Sequence, residues 1–150
     1  MTFTQQENQA QQAAVLAALD QYHAALQAIF TGDVNLMCVV WSHADDVTYL
    51  GPDNSYRVGW QAVLADWQAQ ADMNLGGNVE FDNVHIVVGP ALAIVHKYVQ
   101  GTNLDRQGNP ENVSLRATVT FRREADAWKV ISVQADLLSH LIDNPVADQK

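Results

Sequence analysis

WSHADDVTYLGPDNSYRVGW, residues 41–60, is the stretch that decides the fold. An apolar helix end runs into the paired acids Asp45 and Asp46. A short strand follows, then a Pro52-Asp53-Asn54 turn, a second short strand, and a Gly59-Trp60 step into another helix. Turn residues between two short β-prone runs mark a hairpin, and Gly before an apolar-periodic run marks a helix start.

Toward the N-terminus, helical patterns dominate. Thr4 and Glu7 have capping-box spacing, and Val15, Leu19, Tyr22, Leu26 and Ile29 form one stripe of a long amphipathic helix. Gly32 predicts its stop, and Asp33 caps a short second helix carrying Leu36, Met37, Val40 and Trp41. A third helix begins near Gly59, with Trp60, Val63, Leu64, Trp67 and Ala71 on one face, and Gly76-Gly77 ends it.

After residue 77 the period becomes two. Segments 78–88, 91–104, 112–123 and 127–138 are rich in Val, Ile, Thr, Phe and Tyr and read as strands. Gly89-Pro90, DRQGNP at 105–110 and the Glu124-Ala125-Asp126 corner separate them. All four prolines fall outside the predicted helix and strand interiors. Such short connections favour antiparallel hairpins. On 112–123, Val113, Leu115, Ala117, Val119 and Phe121 share a face opposite Ser114, Arg116, Thr118, Thr120 and Arg122. On the last strand, Ile131, Val133, Ala135 and Leu137 oppose Ser132, Gln134 and Asp136. Helices first and strands afterwards predict one α+β domain. Its N-terminal helices cover the concave face of a strongly curved, mainly antiparallel sheet. The tail after His140 reads as a loose end.

Composition narrows the function. The 150 residues fit one domain with its own core. Eight basic residues against 17 acidic ones give a net charge of −9, which repels nucleic-acid phosphates and anionic membranes. Neither partner is expected. No segment approaches a membrane span, and MTFTQQENQAQQ lacks the basic and apolar regions of a secretory signal. The lone Cys38 excludes an intramolecular disulfide and fits a reducing, cytoplasmic setting. The five histidines form no metal-ligand spacing, and P-loop, GxGxxG and GxSxG motifs are absent. No metal and no cofactor are expected.

The order of elements, with GDVNLMCVVWSHADDVTYLGP, the Gly59-Trp60 helix start and RATVTFRREADAWKV, resembles the SnoaL-like branch of the nuclear transport factor 2-like superfamily, over about residues 5–140. The resemblance implies a cone-shaped α+β fold with an apolar cavity at its open end. It also implies a cofactor-free isomerase, dehydratase or cyclase moving a proton on a hydrophobic carbonyl compound. The superfamily equally contains binding and association modules without catalysis. The functional residues of its ketosteroid isomerase branch do not carry over. Gly51 stands where that branch has its general-base Asp, Ala117 where it has the second Asp, and Ala25 where it has the oxyanion Tyr. Gln134 stands near the place where SnoaL-like relatives often carry a His.

The remaining candidates come from the residues themselves. Crowding of Asp45 and Asp46 would raise one carboxyl into general acid/base range, while a plain helix-end turn would use the same pair for backbone capping. His96 and Tyr98 share one face of strand 91–104 with Leu92 and Ile94. The opposite face, with Val95, Lys97 and Val99, is also partly apolar, so alternation alone leaves the inner side open. The expected catalytic groups are Asp46 and His96, and the expected ligand pocket comprises Tyr22, Trp41, Tyr49, Trp60 and Tyr98. A homodimer is expected through the outer sheet face bearing Arg116, Thr118, Thr120 and Arg122, as members of the superfamily frequently pair in this way.

Overall fold

The computed structural model describes residues 4–138, so the stretch after His140 lies outside the described residues. Helix α1 (Gln5–Ile29) starts where expected, with Thr4 Oγ1 accepting from the Glu7 amide at 3.1 Å. An N-cap of this type contributes about 1 kcal/mol. Helix α2 (Asn35–Val40) follows, with Asp33 Oδ1 accepting from the Asn35 amide. Strands β1 (Thr48–Leu50) and β2 (Tyr56–Val58) form the small hairpin, and α3 (Trp60–Met73) leaves it through Gly59 at φ +88°. The predicted Gly76-Gly77 stop is displaced. Asn74 in the left-handed conformation ends α3 first, because Asn tolerates positive φ.

Four long strands complete the chain: β3 (Asn78–Val88), β4 (Leu92–Leu104), β5 (Pro110–Glu124) and β6 (Ala127–Leu137). The six-stranded sheet has the order β2-β1-β6-β5-β4-β3. All pairs are antiparallel except β1 with β6, which is parallel. Ala125 and Asp126 both have positive φ, making the tight β5–β6 hairpin. The helices cover one face, where Ala93, Val95 and Val99 of β4 meet Val119 and Phe121 of β5 and Trp128, Val130 and Val133 of β6. Val15, Leu19, Tyr22 and Ile29 of the expected stripe of α1 are buried against this layer, joined by Ala25, while Leu26 is half-buried. The chain is therefore α+β with a mainly antiparallel sheet, as its pattern predicts.

One alternation differs from the expected one. Between Thr120↔Ser132 and Phe121↔Val130 the β5–β6 register slips, leaving Ile131 as the extra residue of a β-bulge. Beyond it Trp128 and Val130 face inward, and Ile131 is only half-buried. A period-two reading across a bulge assigns one side of the strand to the wrong face.

Candidate functional site

An apolar cavity of about 270 Å³ lies between the helices and the sheet. Tyr22 and Leu26 of α1, Tyr49 of β1, Trp67 and Gln70 of α3, and Lys97, Leu115 and Val133 of the sheet all line it. Asp53, Met73, Asn112 and Leu137 form its exposed rim. A cavity of roughly 150 Å³ holds benzene, so this one suits a ligand of one or two rings. A broader hollow of about 510 Å³ lies on the outer sheet face around His96, Tyr98, Arg116 and Asp136. The apolar cavity is the better chemical site, because its largely apolar lining strengthens the polar contacts at its inner end.

The strongest feature of the cavity is Lys97. Strand alternation puts it on the inner face between Val95 and Val99, and it is 4 % exposed. Its Nζ lies 2.7 Å from His23 Nε2, 4.9 Å from the Tyr22 ring centroid and 4.6 Å from that of Phe81. The imidazole of His23 stacks on Phe81 with centroids 3.5 Å apart. Among the described residues no carboxylate pairs with this ammonium. Burial therefore lowers the Lys97 pKa from 10.5 to about 7. The fall of about 3.5 corresponds to roughly 5 kcal/mol, at about 1.4 kcal/mol per pH unit. Two ring contacts, at about 2 kcal/mol each for a desolvated cation, offset part of it. Burial, then the nearby Lys97 charge, lowers His23 to about 3, so its ring is neutral at pH 7. Beside the protonated lysine Nε2 accepts from Nζ, which places the ring proton on Nδ1.

Tyr49 brings a second polar group to the same space. Gln70 Nε2 donates to the Tyr49 hydroxyl oxygen at 3.1 Å and to Asp66 Oδ1 at 2.9 Å. Asp66 in turn accepts from Arg57 Nε at 2.9 Å. Rotating the Gln70 amide would place its oxygen against the Asp66 carboxylate, so this network fixes its orientation. Because the Tyr49 oxygen already accepts, its O–H remains free to donate into the cavity. Burial raises the Tyr49 pKa despite the Gln70 hydrogen bond, and the phenol stays neutral. Burial, with Tyr49 nearby, likewise raises Tyr22 well above its usual value. The result is a mainly apolar cavity with two phenol groups and one amine paired to an imidazole.

The structure divides the expected site residues. Tyr22 and Tyr49 line the cavity, bounded as expected by α1, the 41–60 stretch and β4. The grouping of Asp46 and His96 at one site is corrected. His96 and Tyr98 have the opposite parity to Lys97 and lie on the outer face, where His96 pairs in register with His85 and Thr118. Asp46 is exposed, held by Arg122 through Nη1–Oδ2 at 2.7 Å and Nη2–Oδ1 at 3.1 Å. The guanidinium hydrogen bonds keep its carboxyl below the usual range, away from neutral-pH proton transfer. Trp41 and Trp60 are corrected too. Trp41 packs in the core beside Trp60 and Trp67, and Trp60 stacks on His43 with centroids 4.3 Å apart. Neither lines the cavity. The residues missed are Lys97 with its partner His23, and Gln70. The available signal was a lysine at apolar parity between Val95 and Val99.

No cluster of three or more metal-binding side chains occurs among the described residues, and none of their helices is long and apolar enough to cross a membrane. A family model for the SnoaL-like domain matches residues 15–136. The chain belongs to the SnoaL-like family. No curated protein matches it. Among solved structures, the chain is similar to a proposed calcium/calmodulin-dependent protein kinase type II association domain from Thiobacillus denitrificans. That match has 26 % identity and a TM-score of 0.66, covering 81 % of this chain and 93 % of the other. A proposed dehydratase of the nuclear transport factor 2-like family from Streptomyces avermitilis matches at 21 % identity and TM-score 0.72, covering 84 % and 95 %. A ketosteroid isomerase-like protein from Erwinia carotovora atroseptica matches at 17 % identity and TM-score 0.71, also covering 84 % and 95 %. The last two likenesses establish the fold alone. At the positions where the isomerase resemblance expects acids, this SnoaL-like chain has Gly51 and Ala117, and Ala117 pairs in register with Lys97.

Proposed function

We propose that this protein binds a small hydrophobic carbonyl compound in the apolar cavity and transfers a proton on it without a cofactor. The observation that carries this reading is the Lys97–His23 pair, buried at an apolar cavity that the Tyr49 hydroxyl also faces. Tyr49 donates to the carbonyl oxygen and stabilises the charge that develops there as an α-proton leaves. Neutral Lys97 takes that proton, and a pKa near 7 suits a base working at neutral pH. His23 keeps the amine oriented through its Nε2. Isomerisation, dehydration and aldol-type cyclisation all share this first step.

β-Tetralone, a two-ring ketone matched to the cavity volume, tests the reading. Deuterium uptake at its α-carbon in D2O, followed by NMR, should accelerate with the protein and return to the background rate with Lys97→Met. Absence of both acceleration and binding would remove the reading.

Similarity to an association domain favours a second reading, self-association through the outer sheet face. Val87, Leu92 and Ile94 are exposed there, with Arg116 and Arg122 offsetting part of the −9 charge per chain. A homodimer burying about 1,200 Å² or more would persist at micromolar concentration. Sedimentation equilibrium returning only the 16.5 kDa monomer would exclude it. The lone Cys38 fits a cytoplasmic location for either form.

A further inference from the structure

Resting on the carbonyl-binding reading, we propose that Lys97 is a covalent catalyst that condenses with an aldehyde or ketone in the cavity to form a Schiff base. The geometry supplies each requirement of that chemistry. Lys97 is 4 % exposed, on an interior strand of the sheet, and among the described residues it has no carboxylate partner to hold it as an ion pair. Among the described residues its one hydrogen-bond partner is an imidazole nitrogen at 2.7 Å, and with the ring proton on Nδ1 that nitrogen accepts an N–H and leaves the lone pair of the neutral amine available. A lysine serving only as structure is better placed beside a carboxylate, because a buried unpaired charge is costly. The apolar lining contributed by Leu26, Trp67, Val99 and Val133 excludes the water that would hydrolyse an imine.

The step balances without an added reagent. The Nζ lone pair forms an N–C bond while the C=O π pair moves onto oxygen, which is met by the Tyr49 proton. His23 Nε2 relays an Nζ proton. Both Nζ protons end on the oxygen, which departs as water and leaves C=N in place of C=O, with Tyr49 and His23 restored. Nothing is oxidised or reduced. The imine makes the adjacent C–H more acidic than the parent carbonyl does, so one residue would bind and activate the substrate.

Cinnamaldehyde, which cannot enolise, is the probe. Incubated with the full chain at pH 7.5 and reduced with borohydride, it should give a stable single adduct in the intact mass. Peptide mapping should place that adduct on Lys97. Lys97→Arg keeps a cation but removes the nucleophile, and its adduct yield should fall to the background of the remaining amines, such as Lys129. His23→Phe should slow trapping at least tenfold while preserving the site of modification. Circular dichroism of each variant separates loss of trapping from loss of folding. Adduct on Lys129 at the same rate as on Lys97, or none in a folded protein that binds cinnamaldehyde, overturns the covalent proposal. β-Tetralone exchange that persists alongside such a result leaves Lys97 as a base only, so the two readings fail separately.

Discussion

Replacing Lys97 by methionine removes a buried cation while keeping an unbranched side chain of similar length. The folded pKa of about 7 lies below the ordinary 10.5, so folding disfavours the protonated form. The sign follows from proton counting. Below pH 7 both states hold the proton and the full penalty, roughly 5 kcal/mol, burdens the native protein. Between pH 7 and 10.5 the unfolded state binds more protons, so native stability rises by up to about 1.4 kcal/mol per pH unit. Above 10.5 the penalty is gone. The variant has no such term, but leaving His23 Nε2 unpaired costs it about 1–3 kcal/mol. It also loses the two ring contacts, at about 2 kcal/mol each, so its stability relative to the parent should be highest at pH 6, where the penalty is full. Relative to the parent it should fall by roughly 3 kcal/mol by pH 9.5. The other ionisable groups facing the cavity do not titrate across this range. His23 is lowered to about 3, Asp53 is lowered, and Tyr22 and Tyr49 are raised. Urea denaturation of both proteins at pH 6, 7.5 and 9.5, followed by tryptophan fluorescence, measures the difference. A gap that does not change with pH, or one that moves in the parent's disfavour as pH rises, would refute the argument.

Other substitutions separate the parts of the site. Tyr49→Phe removes the donor to the carbonyl oxygen and should slow β-tetralone exchange about 100-fold, with little change in ligand affinity; an unchanged rate would mean that Tyr49 does not polarise the carbonyl. Asp46→Asn should leave exchange intact and lower the melting temperature only slightly, since its ion pair with Arg122 is solvent-exposed. Loss of exchange would return Asp46 to the mechanism. Gly77→Ala forces a side chain onto a residue at φ +74°, directly into the Thr102 carbonyl, and should cost about 3 kcal/mol in urea unfolding. A neutral effect would mean that the β3–β4 start is not held as tightly as described.

The fold was legible because its signals are local. The Thr4 cap, the 4-3-4-3 stripe of α1 and the change of period after residue 77 are each written within a few residues of where they act. The site was only half legible, for reasons that are not local. Asp46 finds its partner Arg122 76 residues away, which turns a candidate acid/base into a held carboxylate. Leu92 and Ile94 are exposed while Lys97 is buried, the reverse of the usual preference, so apolar content could not tell the inner face of β4. Ile131 reads as an inward residue until the β5–β6 bulge is known. Tyr22 and Tyr49 were recoverable, since the core stripe and the central position of a three-residue strand fix their direction.

The chain of contacts from Arg57 through Asp66 and Gln70 to Tyr49 gives the cavity an electrical lead to the surface. Its outer terminal, Arg57, is half exposed and its inner one is a phenol in a mainly apolar space. Swapping the Asp66 carboxylate for an amide would free Gln70 to turn over, and Tyr49 would then give its proton to Gln70 instead of to a ligand. A residue that does not line the cavity would thus reverse the polarity of the group that does, and selection on this pocket can act through a buried residue outside it.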